Sequence, residues 1–570
     1  MGEYVAEENL PYIPDDLTLP QFILDSSHPT RPIRRHGISW FVDDTTGSQI
    51  GFEEVRSRVF GLANALYTKL NIRENDVVCL FSQNDVDYPI IMWAVHRLGA
   101  VVATVNPASN VAELAYHISV SGSTSIFAHT DTLPTAMTAA KQSGIRSDRI
   151  ILLGAPERAA PNFSGHDLHN LIGYGLSHKA NFAERRLEPG EARKKVAFLV
   201  FSSGTTGKPK AVAIPHYAIV ANIIQLSTFL KVNDESLSLE KRRFRPGHVG
   251  LGRLSILSIS MLTTNLKLTV VIVPKFNFVR FLESVVRYQV THLMVVPPIA
   301  ILLAKHPATK NYDISHIRYL LCGAAPVSAE LQEQVVKALP NAEIGQAYGM
   351  TETCTVISMF PISQRIGTPG SAGVLIPGVR GRIVKPDGTL ARPGELGEFY
   401  VTAPSLALGY YNNEKATQET FIDGWVRTGD EGLLNDKGEL FILDRVKEIL
   451  KVRAFQVAPA ELEGHLLQHP DVVDACVVGI PDEFSGELPL AFVVLSADAA
   501  KRAASGDAEK IKSSIFKHVA DNKAKYKHLH GGVEFMDAIP KNPSGKLLRR
   551  ILRDIAKELK SKRGQFPAKL

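Results

Sequence analysis

The sequence predicts an α/β protein: a large multi-layer N-terminal domain of parallel-rich sheets with a small β unit, then a smaller α+β C-terminal domain. Three observations carry that expectation. Between about residues 50 and 440, short apolar runs alternate with segments of helical periodicity, as in a buried parallel sheet with helical crossovers. After Gly370 the pattern changes to short alternating segments divided by Pro-Gly, Asp-Gly and Gly-Glu turns, which read as antiparallel β. Finally, 570 residues exceed one comfortable hydrophobic core, and chains of that length divide into domains.

Taken in order, the runs at 77–81, 101–105, 150–153, 198–201, 269–273, 292–296 and 319–322 are the expected strands of the parallel layers. GVLIPGVRGRIVKPDG (373–388) and GELGEFYVTA (394–403) make the small antiparallel unit. The turn-rich GDEGLLNDKGELFILDRVKEIL (429–450) separates it from the last segment, and the domains are set at 1–444 and 445–570. That segment is expected to hold a helix over 460–468 and a strand over 475–480. It closes with a cationic amphipathic tail, KLLRRILRDIAKELKSKRG, read as a solvated terminal helix.

Composition narrows the function. With 45% apolar and 21% charged residues and a net charge of only +6, the chain resembles an ordinary soluble protein. Acidic and basic residues alternate almost everywhere, which argues against a nucleic-acid surface. The four cysteines lack CxxC or metal-ligand spacing and read as reduced thiols. The apolar stretch 254–273 is interrupted by Lys267 and reads as core rather than a membrane span. The ending Ala568-Lys569-Leu570 differs from the peroxisomal Ser-Lys-Leu address by one small residue for another. It points to a peroxisomal import receptor as partner, with the cytoplasm as the alternative location.

The chemistry begins at FSSGTTGKPKAV (201–212), a Gly/Ser/Thr/Lys loop directly after an apolar run. A Walker A loop needs Gly-x4-Gly-Lys-Ser/Thr, but Ser202 holds the first glycine position and Pro209 the hydroxyl position. The loop still suits phosphate. Gly204 and Gly207 let backbone amides face an anion, and Ser202, Ser203, Thr205 and Thr206 add hydroxyls beside Lys208 and Lys210.

This loop resembles the signature of the adenylate-forming superfamily: acyl- and aryl-CoA synthetases, luciferases and peptide-synthetase adenylation domains. Further matches follow in the family's order: QAYGMTE (346–352), GWVRTGD (424–430), DRVKEILKVRAFQVAPAELE (444–463) and PKNPSGKLLRR (540–550). The resemblance spans nearly the whole chain and is strongest to 4-coumarate:CoA ligase-like enzymes. It implies that a carboxylic acid attacks the α-phosphate of ATP to give an acyl-adenylate and pyrophosphate. The thiol of coenzyme A, a co-substrate, then displaces AMP.

By the same resemblance, Ser202, Ser203, Gly204, Thr205, Thr206, Gly207 and Lys210 cradle the phosphates, and Thr206 and Glu352 match the α-phosphate and Mg²⁺ positions. One carboxylate is chemically sufficient for magnesium, which takes few protein ligands. Tyr348 lies against the adenine, with Gly323, Ala324, Ala325 and Pro326 forming the other wall, within an ATP-binding set that also holds Gln346, Gly349 and Thr351. Asp430 and Arg445 match the residues that hold the ribose and its phosphate edge. Lys546 matches the lysine that completes the adenylation site, and Lys451 and Gln456 match positions serving the adenylate and thioester steps. Arg453 and Ala454 lie on the CoA path. Lys447 matches the hinge about which the mobile C-terminal domain turns.

Several positions depart from the family. Ala211, Ala347 and Ala454 stand where glycines are usual, so thioester formation is expected to suffer before adenylation does. In GLGRLSILSISMLTTNLKL (250–268), Ser255 and Ser258 stand where the family has a Pro and a His, the His shaping the carboxylate pocket with an aromatic, and Arg253 enters an apolar run. A CoA ligase acting on an aryl-propenoic or fatty acid is the first expectation. A luciferase-like monooxygenase and a weakened or non-catalytic nucleotide-binding homologue are the alternatives.

Overall fold

The computed structural model describes residues 2–30, 37–154, 163–202, 209–232, 234, 248–252, 268–324, 327–446, 448–452, 455–482, 485–541 and 546–563. Two large sheets dominate. The first runs in the order Gly409–Tyr410, Lys210–Pro215, Val196–Ser202, Val101–Thr104, Val77–Phe81, Ser125–His129, Ile150–Leu153, His166–Asp167. It is parallel from Val196–Ser202 outward and antiparallel only at the edge that carries Lys210–Pro215. The second sheet contains Thr355–Met359, Glu343–Met350, Tyr319–Cys322, His292–Val295, Val249–Gly252, Thr269–Ile272 and Ser39–Asp43, with a parallel centre. The apolar runs expected as strands therefore lie in these two sheets.

The helices Tyr88–Arg97 and His216–Phe229 show why the layers hold together. Every residue of the first and all but one of the second is buried. A helix that is buried all round needs apolar neighbours on two sides. One core supplies them, joining Val78, Val102 and Phe198 of the first sheet with Phe41 and Val270 of the second, and with Trp93 and Ile219 of the helices between.

The small β unit is antiparallel, as its turns imply: Arg380–Val384, Gly397–Thr402 and Trp425–Leu434 pair in turn, and Leu440–Arg445 adds to the last. The next strand, Leu450–Val452, belongs to a separate sheet with Phe455–Val457, Gly486–Leu495, Val472–Asp482 and Gly532–Phe535. The strand expected at 475–480 is longer, Val472–Asp482, because it pairs along its whole length with Gly486–Leu495. The expected helix at 460–468 spans Pro459–Leu466. The basic tail forms the helix Arg549–Arg563, and it is not wholly solvated: Leu552 and Ala556 enter a core with Cys476, Val478 and Phe492.

This last unit packs on the first. Lys305 Nζ donates to the Leu467 carbonyl, and Gly464 sits so close to Ser328 that a Cβ there would lie 2.6 Å from the serine Cβ. Among the described residues no helix is long and apolar enough to cross a membrane, and the four cysteines are free and buried. The 253–267 stretch, with Arg253, Ser255 and Ser258, lies outside the described residues. So do Ala568-Lys569-Leu570.

Candidate active site

The site forms where the three N-terminal sheets and the C-terminal unit converge. Val196–Ser202 and Lys210–Pro215 make an antiparallel hairpin with Ser202 opposite Lys210. Its connection is the Gly/Ser/Thr loop; Ser203, Gly204, Thr205, Thr206 and Gly207 lie outside the described residues. The far end of the loop is anchored, since Tyr116 Oη donates to the Pro209 carbonyl at 3.1 Å. Ala211 is 2% exposed and packs among Val77, Val101, Ala103, Leu199 and Ala213. Its methyl group joins that core, so the departure from glycine at this position is a packing feature.

Glu343–Met350 changes partners midway. Cys322 lies beside Gln346 in the parallel sheet, whereas Tyr348 faces Ser358 in an antiparallel one, with a bulge between Tyr348 and Gly349. A Cβ on Gly349 would fall 1.4 Å from the Thr355 carbonyl oxygen. Glycine is needed there for backbone to cross backbone, which turns the chain into the Thr351–Thr353 3-10 turn and its Glu352. Thr355 pays with a φ of 104°, unusual for a β-branched residue. Its hydroxyl donates to Asn222 Oδ1 at 2.8 Å, and Asn222 Nδ2 donates to the Val356 carbonyl at 2.8 Å, which holds the turn.

Gln346 is 6% exposed, and its amide is committed to protein. Oε1 accepts from the Val327 amide at 2.9 Å and Nε2 donates to the Val327 carbonyl at 3.1 Å. The side chain thus pins the segment that follows Gly323 and Ala324, where Ala324 adopts a φ of 73°. Ala325 lies outside the described residues. Ala347 packs partly buried against the core of the small β unit.

Asp430 and Arg445 stand directly opposite each other on paired strands. Arg445 Nε lies 2.7 Å from Asp430 Oδ1, and Tyr348 Oη donates to Asp430 Oδ2 at 2.5 Å. Arg445 is further held by a 2.9 Å bond to the Thr428 carbonyl. A carboxylate offers about four acceptor sites, so two remain for vicinal hydroxyls. Burial raises the Asp430 pKa above the usual carboxylate range, while Arg445, the Tyr348 hydroxyl and Lys546 oppose that rise. Burial, with Asp430 beside it, pushes the Tyr348 phenol well up, so it stays protonated and donates.

Glu352 is 5% exposed and accepts from Tyr410 Oη at 2.7 Å. Lys210 Nζ sits 4.8 Å from the centre of the Tyr410 ring. Tyr410 belongs to none of the motifs that carried the sequence resemblance; only its tertiary contacts single it out. Lys546 approaches from the C-terminal unit. Its pKa is lowered by burial and by Arg445, with Asp430, Glu448 and Glu352 acting in the opposite sense. The Leu548 amide donates to the Pro540 carbonyl at 2.9 Å.

Lys451, by contrast, is exposed. Its strand pairs it with Gln456, and its amide donates to Glu487 Oε2 at 2.8 Å, within the C-terminal sheet. Lys546, rather than Lys451, is therefore the lysine brought into the field of Asp430 and Glu352. The side chain of Gln456, and Lys447, Arg453 and Ala454, lie outside the described residues.

As to a metal, no group of three or more His, Cys, Asp or Glu side chains assembles among the described residues. Of the two positions matched to the metal, the described one is the buried Glu352 carboxylate. That fits a hard cation such as Mg²⁺ that draws its other ligands from phosphate and water.

Comparison with known proteins shows the family. The family model for the AMP-binding enzyme matches residues 30–411, and that for the AMP-binding enzyme C-terminal domain matches 461–546. The chain belongs to the AMP-binding enzyme family. Within it, this is an acyl-CoA synthetase of the 4-coumarate:CoA ligase-like group, an ATP-dependent acid:CoA ligase. It is 35% identical to 4-coumarate–CoA ligase 5 of Oryza sativa subsp. japonica over 97% of each chain. It is 33% identical to peroxisomal OPC-8:0-CoA ligase 1 of Arabidopsis thaliana over 90% of each. The fold is shared with a solved anthranilate CoA ligase in complex with anthranoyl-AMP, with a TM-score of 0.81 at 22% identity, covering 96% of this chain and 99% of that one.

Proposed function

We propose that this ligase activates an aryl-propenoic or fatty carboxylic acid in two half-reactions that use one set of residues. The observation that carries the reading is the convergence of Lys210, Glu352, Asp430–Arg445 and Lys546 from four separate parts of the chain. In the first half-reaction the acid carboxylate attacks the α-phosphate of ATP, and pyrophosphate leaves. Two anions must approach each other, so cationic groups placed in advance lower the barrier by stabilising the charge that develops. Lys210 and the hairpin loop hold the outer phosphates. Asp430 accepts hydrogen bonds from the ribose hydroxyls, with Tyr348 and Arg445 fixing its orientation. Lys546, whose positive charge Asp430, Glu448 and Glu352 favour, faces the oxygens that gain charge. Glu352 would hold Mg²⁺, which when bound neutralises phosphate charge.

In the second half-reaction the CoA thiol adds to the acyl carbonyl of the adenylate, its proton is lost and AMP departs. We assign residues 1–444 and 445–570 to two domains that turn about Lys447, withdrawing Lys546 and bringing up Lys451 and Gln456. The exposed position of Lys451 and the break between the sheets after Arg445 support this. A peroxisomal location is supported by the Ala-Lys-Leu ending and by the peroxisomal relative.

The test is pyrophosphate release with a panel of carboxylic acids, with and without CoA. Aryl-propenoic or fatty acids should release pyrophosphate and yield thioester. Release confined to short-chain acids would overturn the substrate class, and acid-dependent release with no thioester would overturn the ligase reading while keeping adenylation.

A further inference from the structure

Tyr410 occupies a position that no role above explains. Its two-residue strand, Gly409–Tyr410, pairs with the phosphate hairpin in the register Val212 to Tyr410. Its amide donates to Thr417 Oγ1 at 2.9 Å, so the backbone is held on both sides. The side chain then spans two charged groups of the site. The hydroxyl donates to Glu352 Oε1 at 2.7 Å, and the ring face carries Lys210 Nζ 4.8 Å from its centre. The same segment also grips the Glu352 backbone, whose carbonyl accepts from the Ala407 amide at 2.9 Å.

We propose that Tyr410 is a positioning residue for adenylation: it fixes the Glu352 carboxylate for the divalent cation and keeps Lys210 on the phosphate side. The inference rests on the assignment of Glu352 as the metal ligand. A glutamate side chain has three rotors, and ordering it costs rotamer freedom. A hydrogen bond made before the nucleotide arrives meets that cost in advance. Because one bond occupies only one lone pair of Oε1, the carboxylate retains acceptor capacity for a cation. The lysine gains differently. Its ammonium is attracted to the electron-rich ring face, which aligns it beside the loop without neutralising it.

The experiment measures Mn²⁺ binding to the protein in the presence of α,β-methylene-ATP by electron paramagnetic resonance, with thermal unfolding as a check on the fold. Tyr410→Phe keeps the ring and removes only the hydroxyl. Removing an outer-shell partner typically weakens metal affinity by about tenfold or more, and that is the loss expected here. The Mg²⁺ concentration for half-maximal pyrophosphate release should rise in parallel. Tyr410→Leu removes the ring as well, and should further weaken nucleotide binding measured without metal. In a Glu352→Gln background, Tyr410→Phe should add no further loss, since its effect is routed through that carboxylate.

Mn²⁺ affinity within twofold of wild type in Tyr410→Phe, with Glu352→Gln clearly weakened, would overturn the role of Tyr410 alone. Unchanged affinity in Glu352→Gln would overturn the metal assignment, and this inference with it. An additional, independent loss in the double variant would show that Tyr410 acts by some route other than Glu352.

Discussion

Replacing Arg549 by methionine should loosen the C-terminal unit sharply, because the guanidinium is the cation of a buried network. Arg549 Nη2 lies 2.8 Å from Glu463 Oε2 and 3.7 Å from Asp444 Oδ2, and the three side chains are only 13%, 10% and 5% exposed. Both carboxylates also accept backbone bonds, Glu463 from the Val477 amide at 2.8 Å and Asp444 from the Ala460 amide at 3.1 Å. Burial opposes the charge on Arg549, yet Glu463 and then Asp444 hold its pKa above that of an ordinary arginine. Removing one partner of such a group strands the others without compensation, at about 3–5 kcal/mol. Every ~1.4 kcal/mol is a factor of ten in an equilibrium, so opening of this unit should rise on the order of a hundred- to several thousandfold.

The chain supplies its own probe. Cys476 is fully buried in Val472–Asp482, and the other three cysteines belong to the N-terminal sheets and the Glu352 turn. The rate of Cys476 labelling under native conditions therefore reads opening of the C-terminal unit, while labelling of Cys79 reads the N-terminal one. Arg549→Met should speed the first by the factor above and leave the second nearly unchanged. Adding Glu463→Gln should recover part of the loss, since contacting residues couple by about 0.5–3 kcal/mol. Cys476 labelling within threefold of wild type would show that the network contributes no net stability.

Two further outcomes follow from the site. Lys546 has its pKa lowered, so it is charged below that pKa and neutral above it. Pyrophosphate release should accordingly fall as pH rises through a value below that of an ordinary lysine, and Lys546→Arg should remove this alkaline limb from the pH–rate profile. Lys546→Ala should abolish adenylation and leave ATP binding by calorimetry nearly unchanged. Gly349→Ala forces a Cβ to within 1.4 Å of the Thr355 carbonyl. Overpacking of this kind costs about 1–3 kcal/mol or more, and because the strained backbone carries Glu352, pyrophosphate release should drop well beyond any change in melting temperature.

The layered α/β architecture was legible because its signals are local: apolar runs, their spacing and the turn residues between them. The motifs likewise named Glu352, Tyr348, Asp430, Arg445 and Lys546 as a set. What they conveyed poorly was which chemistry each atom performs. Gln346 and Gly349 stand in the adenine motif, but in the structure one pins Val327 and the other lets strands cross. Ala211 looked like a departure at the ligand and is a core methyl.

Local sequence signals thus gave the class of enzyme and the order of its elements. Those depend on residue types at short spacing. The meeting of Asp430 with Arg445 and Tyr348, and of Tyr410 with Glu352 and Lys210, came only with the packed fold. The physical reason is separation along the chain. Tyr410 and Glu352 are 58 residues apart, and Tyr348 and Asp430 are 82 apart. Such contacts arise from strand register and from how sheets pack, which no local pattern encodes.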